Sequence, residues 1–135
     1  VSKKLYVEIV SPEHEVWAGE GDMVIAKTID GEIGVQPGHV PVLALLAPGS
    51  VVRILGGRET GEVRAAAHGG YISVSDDDRV SILAETAELA EDVDVERARQ
   101  ALSDVESGGV GPEDTEAQAR AARARSRLEA AGKAA

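Results

Sequence analysis

The sequence contains no cysteine and no phenylalanine, and only Tyr6, Trp17 and Tyr71 are aromatic. Without thiols there is no disulfide frame and no thiolate metal site, and the only nitrogen ligands left are His14, His39 and His68. A core built without phenylalanine has to be packed mainly from valine, isoleucine, leucine and alanine. Basic residues are also scarce: 14 Lys and Arg stand against 24 Asp and Glu, a formal charge of -10. This balance opposes any sequence-independent grip on phosphate backbones, so nucleic acid is not an expected partner. Nowhere do about 18 apolar residues follow one another, as a bilayer-crossing helix requires, and the chain does not open on a basic region followed by an apolar one. These features predict a soluble chain. Its 135 residues suffice for one domain with a core, or for a compact domain with a small appendage.

Two periodicities divide what is present. From Val1 to about Glu85 the residues form short alternating or apolar runs between turn residues: KLYVEIVS, EVWAGE, DMVIAKTI, GEIGVQ, VLALL, SVVRIL, EVRAAA, GYISVS and RVSILAE. Alternation at this length predicts antiparallel strands. They are too many for one open sheet in a small domain. Two face-to-face layers, as a β-sandwich or a flattened barrel, would bury the inner rows and limit exposed edges. Ile29-Asp30-Gly31, Gly56-Gly57-Arg58 and Asp76-Asp77-Asp78 have the short polar chemistry of hairpin turns.

Beyond Glu85 the period becomes helical. Val95, Ala98, Leu102 and Val105 make one stripe, with Asp94 as N-cap and Gly108 as stop. Pro112 suits the first turn of a second helix, over about 113–131, which carries Ala117, Ala121, Ala124, Leu128 and Ala131 on one side. The expected architecture is therefore a sandwich over residues 1–86 followed by a helical hairpin over 87–135. With one large apolar residue in its stripe, the second helix buries little area at roughly 25 cal/mol per Å², which predicts a hairpin able to undock. Charge is segregated as well: residues 85–106 hold eight acids and two arginines, residues 113–135 four acids and five bases. The cationic side of the second helix, Arg120, Arg123 and Arg127, can meet the acidic first helix or an acidic surface elsewhere.

The segment GEIGVQPGHVPVLALL, residues 31–46, crowds glycines and prolines against an apolar run, as a bulged strand entering a rigid turn requires. Together with LYVEIVSPEHEVWAG, AAHGGYISVSDDDRVSILAETAEL and EDVDVERARQAL, it resembles the epsilon subunit of bacterial F-type ATP synthases over nearly the whole chain. That resemblance implies an all-β sandwich of two packed antiparallel sheets, about ten strands, followed by the two-helix domain. It implies a non-catalytic subunit on the central rotor stalk, coupling proton-driven rotation of the c-ring to ATP synthesis. The implied partners are the gamma subunit and the c-ring, with the alpha and beta subunits of the catalytic head when the hairpin extends and inhibits ATP hydrolysis. Glu32 would then face the c-ring and His39 would lie near gamma. The expected location is the cytoplasmic face of the bacterial cell membrane, peripheral and reached only through the complex.

Some members of that family bind ATP in the folded-down hairpin through an Asp-x-x-Arg-Ala motif. VDVERA supplies Asp94, Arg97 and Ala98, and Glu88 matches a preceding acidic residue. Guanidinium groups at a helix start suit phosphate, although the same residues serve equally as a cap and a solvated arginine. A further arginine of the family pattern is replaced by Asp104, a position for which Arg120, Arg123 or Arg127 would have to compensate. Regulatory ATP is thus the one ligand to consider, and no cofactor is required. The three consecutive aspartates read as a hairpin tip rather than a metal site, and LGGRETG lacks the lysine of a P-loop. No spacing points to a nucleophile and its base, so no catalytic residue is assigned. The competing reading is a free-standing β-sandwich that binds a small ligand and carries a helical tail.

Overall fold

The computed structural model describes residues 3–58, 61–108 and 114–132. Eight strands come first: β1 (Leu5–Val10), β2 (Glu15–Gly21), β3 (Met23–Thr28), β4 (Gly31–Val35), β5 (Val42–Leu45), β6 (Ser50–Arg58), β7 (Gly61–Val74) and β8 (Arg79–Leu89). Two helices follow, α1 (Val95–Ser107) and α2 (Thr115–Ala130). The sheet order is β2-β1-β8-β7-β6-β3-β4, with β5 paired to β7 beside this path.

Nine short runs become eight strands because EVRAAA and GYISVS are halves of the single strand β7. Its pairing with β8 stays in step from Ala65–Leu89 to Val74–Val80, yet the inward side switches midway. Val63, Ala65 and Ala67 point into the core before Gly69 and Gly70, whereas Ile72 and Val74 do so after them. Gly69 adopts φ +66° at this bend, a conformation that costs glycine little. At Gly70 a Cβ would lie 1.8 Å from the Leu83 carbonyl oxygen, so only glycine fits the close approach of the two strands. The bent β7–β8 pair thereby belongs to both layers. The first half of β7 continues into β6, β3 and β4, while its second half pairs with β5 and the first half of β8 leads to β1 and β2. Counting each bent strand twice gives the expected ten.

Two further details differ from the expectation. The β1–β8 pair is parallel, because the chain's first and last strands meet side by side, and a long connection frees their direction. Gly56-Gly57-Arg58 does not turn the chain. A register shift between Ile54 and Arg58 accommodates Gly56, at φ +74°, as a bulge, and β6 runs on to pair Arg58 with Gly61.

The sandwich core joins Leu5, Val7, Ile9, Val24, Val52, Ile54, Ile72 and Ile82, each no more than 1 % exposed. Trp17 packs against its rim half-buried. A separate cluster holds the hairpin together: Ala98, Leu102 and Val105 against Ala117, Ala121, Ala124 and Leu128. Asp94 caps α1 by accepting a hydrogen bond from the Arg97 amide at 3.1 Å. Pro112 lies outside the described residues. α2 is capped by Asp114, which accepts from the Ala117 amide at 3.1 Å, so the helix begins at Thr115. At its other end Ala130, rather than Ala131, is the buried residue, because α2 also faces the sandwich there.

Candidate functional site

α2 lies on the outer side of β6 and β7. Ala130 meets Val51 and Ala66, the Ser126 hydroxyl donates to the Ser50 carbonyl at 2.8 Å, and Arg64 Nη2 donates to the Glu129 carbonyl at 3.1 Å. Close approach is enforced at Gly49, where a Cβ would stand 2.7 Å from the Ala122 carbonyl oxygen. The apolar part of this contact is small. Among the described residues it is joined by these hydrogen bonds and by an ion pair, Arg127 Nε to Glu88 Oε1 at 2.5 Å.

That ion pair borders a cleft of about 340 Å³ between the start of α1, the face of α2 and the end of β8. Glu88, Asp94, Arg97, Ala98 and Arg123, which the sequence spreads over 36 positions, all line it, together with Ala101, Arg120 and Arg127. Four guanidinium groups face two carboxylates, so the cleft carries positive charge within a chain of formal charge -10. Arg120, Arg123 and Arg127 recur at helical spacing and so reach one side of α2. Arg123 has a weak hold on Glu116, at 3.7 Å, and Arg127 holds Glu88. Asp104 points elsewhere: it accepts from Gln100 Nε2 at 2.7 Å on the exposed side of α1 and does not line the cleft. Arg64, two residues before Ala66 on β7, is a polar contact of α2 that periodicity alone does not reveal.

Glu32 and His39 lie on different parts of the sandwich, on β4 and in the turn that follows it. Glu32 is exposed on β4 opposite Lys27 of β3. His39, half-buried, directs Nδ1 to its neighbour's Val40 carbonyl at 2.7 Å in the turn after Gln36, and the Gly38 amide of that turn donates to Asp78 at 2.7 Å. The aspartate run thus forms a hairpin tip that braces this turn, and among the described residues no group of three or more potential ligands gathers around a metal position.

The layer that does not carry the hairpin presents an apolar row to its outside. Leu45, Tyr71, Leu83 and Val10 stand in register across β5, β7, β8 and β1. Each alternates with a core position, and Leu45 and Tyr71 remain 56 % and 37 % exposed. Val10, Pro12, Tyr71 and Leu83 also border an apolar groove of about 390 Å³, and Leu43, 69 % exposed, extends the surface along β5. Exposed apolar strips of this kind are the surfaces that protein partners commonly cover.

The family model described as ATP synthase, Delta/Epsilon chain, beta-sandwich domain matches residues 4–90. The ATP synthase epsilon chain of Thermobifida fusca (strain YX) is 72 % identical over 131 residues, covering 97 % of this chain and 94 % of the relative. The chain belongs to the ATP synthase epsilon chain family. As an epsilon chain it is a non-catalytic subunit serving ATP synthesis and proton transport. Two solved structures share its fold. A chain in the cryo-EM structure of the Euglena gracilis mitochondrial ATP synthase (OSCP/F1/c-ring, rotational state 1) aligns with TM-score 0.73 and 21 % identity, covering 98 % of this chain and 81 % of that one. One in the central stalk/c-ring structure of the Tetrahymena thermophila mitochondrial enzyme aligns with TM-score 0.57 and 18 % identity, covering 96 % and 97 %. Among the described residues of this epsilon chain no helix is long and apolar enough to cross a membrane.

Proposed function

We propose that this epsilon chain is a central-stalk coupling subunit that holds gamma with the apolar strip of its sandwich and bears on the c-ring near Glu32. It works at the cytoplasmic face of the cell membrane, reaching the membrane only through the complex. The observation that carries this reading is the in-register row Leu45-Tyr71-Leu83-Val10, solvent-facing on the layer that the hairpin leaves uncovered. A rotating stalk must transmit torque without slipping, and apolar area buried at about 25 cal/mol per Å² against a shaped groove supplies a firm grip. The test is co-purification with gamma. Leu43→Glu combined with Leu45→Glu puts two charges on exposed strand positions, where folding is spared. The double variant should lose gamma, alpha and beta from a tagged preparation; full recovery of an active complex would reject this face.

We further propose that the cleft between hairpin and sandwich is a nucleotide site with a regulatory role. Four arginines and the amino end of α1 offer donors for a polyphosphate, and Asp94 and Glu88 supply acceptors. Asp104 does not stand in the way, because it lies outside the cleft. Occupancy would favour the docked hairpin over an extended form that reaches the catalytic head, since a ligand at 100 times its dissociation constant contributes about 2.7 kcal/mol to the state it binds. Titration of the isolated chain with MgATP should release heat that Arg123→Ala abolishes. Absence of heat at millimolar nucleotide would remove ATP from the function of this hairpin.

A further inference from the structure

His68 is the one histidine buried in the fold, only 6 % exposed, and it lies where the hairpin meets the sandwich. It shares the outer side of β7 with Arg64 and Ala66, both in contact with α2, and follows them by the two-residue step of a strand. Neither of its ring nitrogens has a hydrogen-bond partner among the described residues. We propose that His68 is a proton-operated latch: neutral, it lets the helical hairpin lie on the sandwich, and once protonated it drives the hairpin off.

From α2 come Arg123 and Arg127, two cations whose fields oppose an imidazolium. From β8, Thr86 stands directly opposite and is uncharged; Glu88, two residues on, is engaged by Arg127, and Glu85 stands on the other side of the bend, next to Gly69. On β7 itself the charges of this face are Arg64 and, two residues before it, Glu62, which stand 3.8 Å apart. On β6, Arg53 is paired across from Arg64 and held by Glu62 at 2.9 Å. The carboxylates of this face, Glu62 and Glu88, are engaged by Arg53 and Arg127, and Glu85 borders the apolar groove of the other layer with Gly69 and Gly70. A neutral imidazole tolerates this enclosure with one unmet donor, whereas an imidazolium would bring two donors and a full charge into it.

Removal of α2 would return His68 to an open sheet face and to ordinary histidine behaviour near 6.5. In the docked form burial, then Arg127 and Arg123, pull its pKa down to about 4. The undocked form therefore binds the proton more tightly. Docking is at full strength above pH 6.5 and weakens as the pH falls from 6.5 toward 4. Among the described residues the contact it must overcome is slight, two hydrogen bonds, one ion pair, the approach of Gly49 to Ala122 and a patch of Val51, Ala66 and Ala130, so one proton is enough to shift the balance. The latch lies under α2 and needs no nucleotide, so it stands whether or not the cleft binds ATP.

The chain offers a clean assay, with a single tryptophan and no cysteine. Gln118→Cys on the exposed side of α2 carries an acceptor dye, Trp17 serves as donor, and energy transfer is followed from pH 8 to pH 4 at constant salt without nucleotide. Transfer should change with a midpoint between 4 and 6.5, and adding His68→Gln, which cannot take the proton, should move that midpoint down by at least about one pH unit. Equal midpoints in the two proteins, or no change in the parent, would overturn the latch. The unlabelled, unmutated chain gives a second reading by NMR. The His68 ring resonances should titrate well below the ordinary histidine value of about 6.5, together with the α2 amides. Titration near 6.5 with the α2 amides unmoved would refute it.

Discussion

Arg127 serves three neighbours at once. It holds Glu88 across the helix–sheet junction, lines the cationic cleft and sets its charge against His68. Removing the guanidinium in Arg127→Ala should weaken hairpin docking by roughly 1 kcal/mol, the scale of a half-exposed ion pair, and should raise the His68 pKa from about 4 toward its ordinary value. NMR titration of the histidine checks the second effect, and an unmoved His68 would mean that burial, with Arg123, depresses it without Arg127. At this scale the sequence was partly legible. Asp94, Arg97 and Ala98 lie within one helical turn, and Arg120, Arg123 and Arg127 share a face by spacing alone. His68 gave no such signal. Beside two glycines it reads as part of a bulge, and its enclosure depends on a helix more than 50 residues away.

At the scale of elements, the bend in β7 decides the architecture. Alternation identified each half of the strand, but a local pattern cannot tell a bent strand from two strands joined by a turn. The difference lies in the inward side switching while the register with β8 holds, a relation between neighbours that only the fold displays. The same limit explains Gly56-Gly57, which has turn chemistry and becomes a bulge because β6 remains paired beyond it. Gly70→Ala is the sharpest probe of the bend. The added methyl would meet backbone at 1.8 Å, an atom that cannot swing aside, so the two strands must separate and the core on both sides of the bend loosens. A loss of about 3 kcal/mol or more is expected in denaturant unfolding, at the upper end of ordinary overpacking costs. A change below about 1 kcal/mol would show that the layers do not depend on this approach.

For the whole molecule, the two apolar clusters decide what happens when the hairpin is removed. The sandwich core and the α1–α2 core share no residue, and the bridge between them is the small patch of Val51, Ala66 and Ala130. A chain ending at Ser107 loses α2 and with it the partner of Leu102 and Val105, yet every residue of the sandwich core keeps its neighbours. The truncated protein should therefore unfold in one cooperative transition and still co-purify with gamma, because the apolar strip lies on the layer that the hairpin never covers. Its newly open face would return His68 to ordinary titration near 6.5, so the acid sensitivity contributed by that residue should disappear. Both outcomes follow from placing the two proposed functions on opposite faces of one sandwich. If truncation instead abolished association with gamma while the sandwich remained folded, the grip would have to run through the hairpin, and the apolar strip would need another occupant.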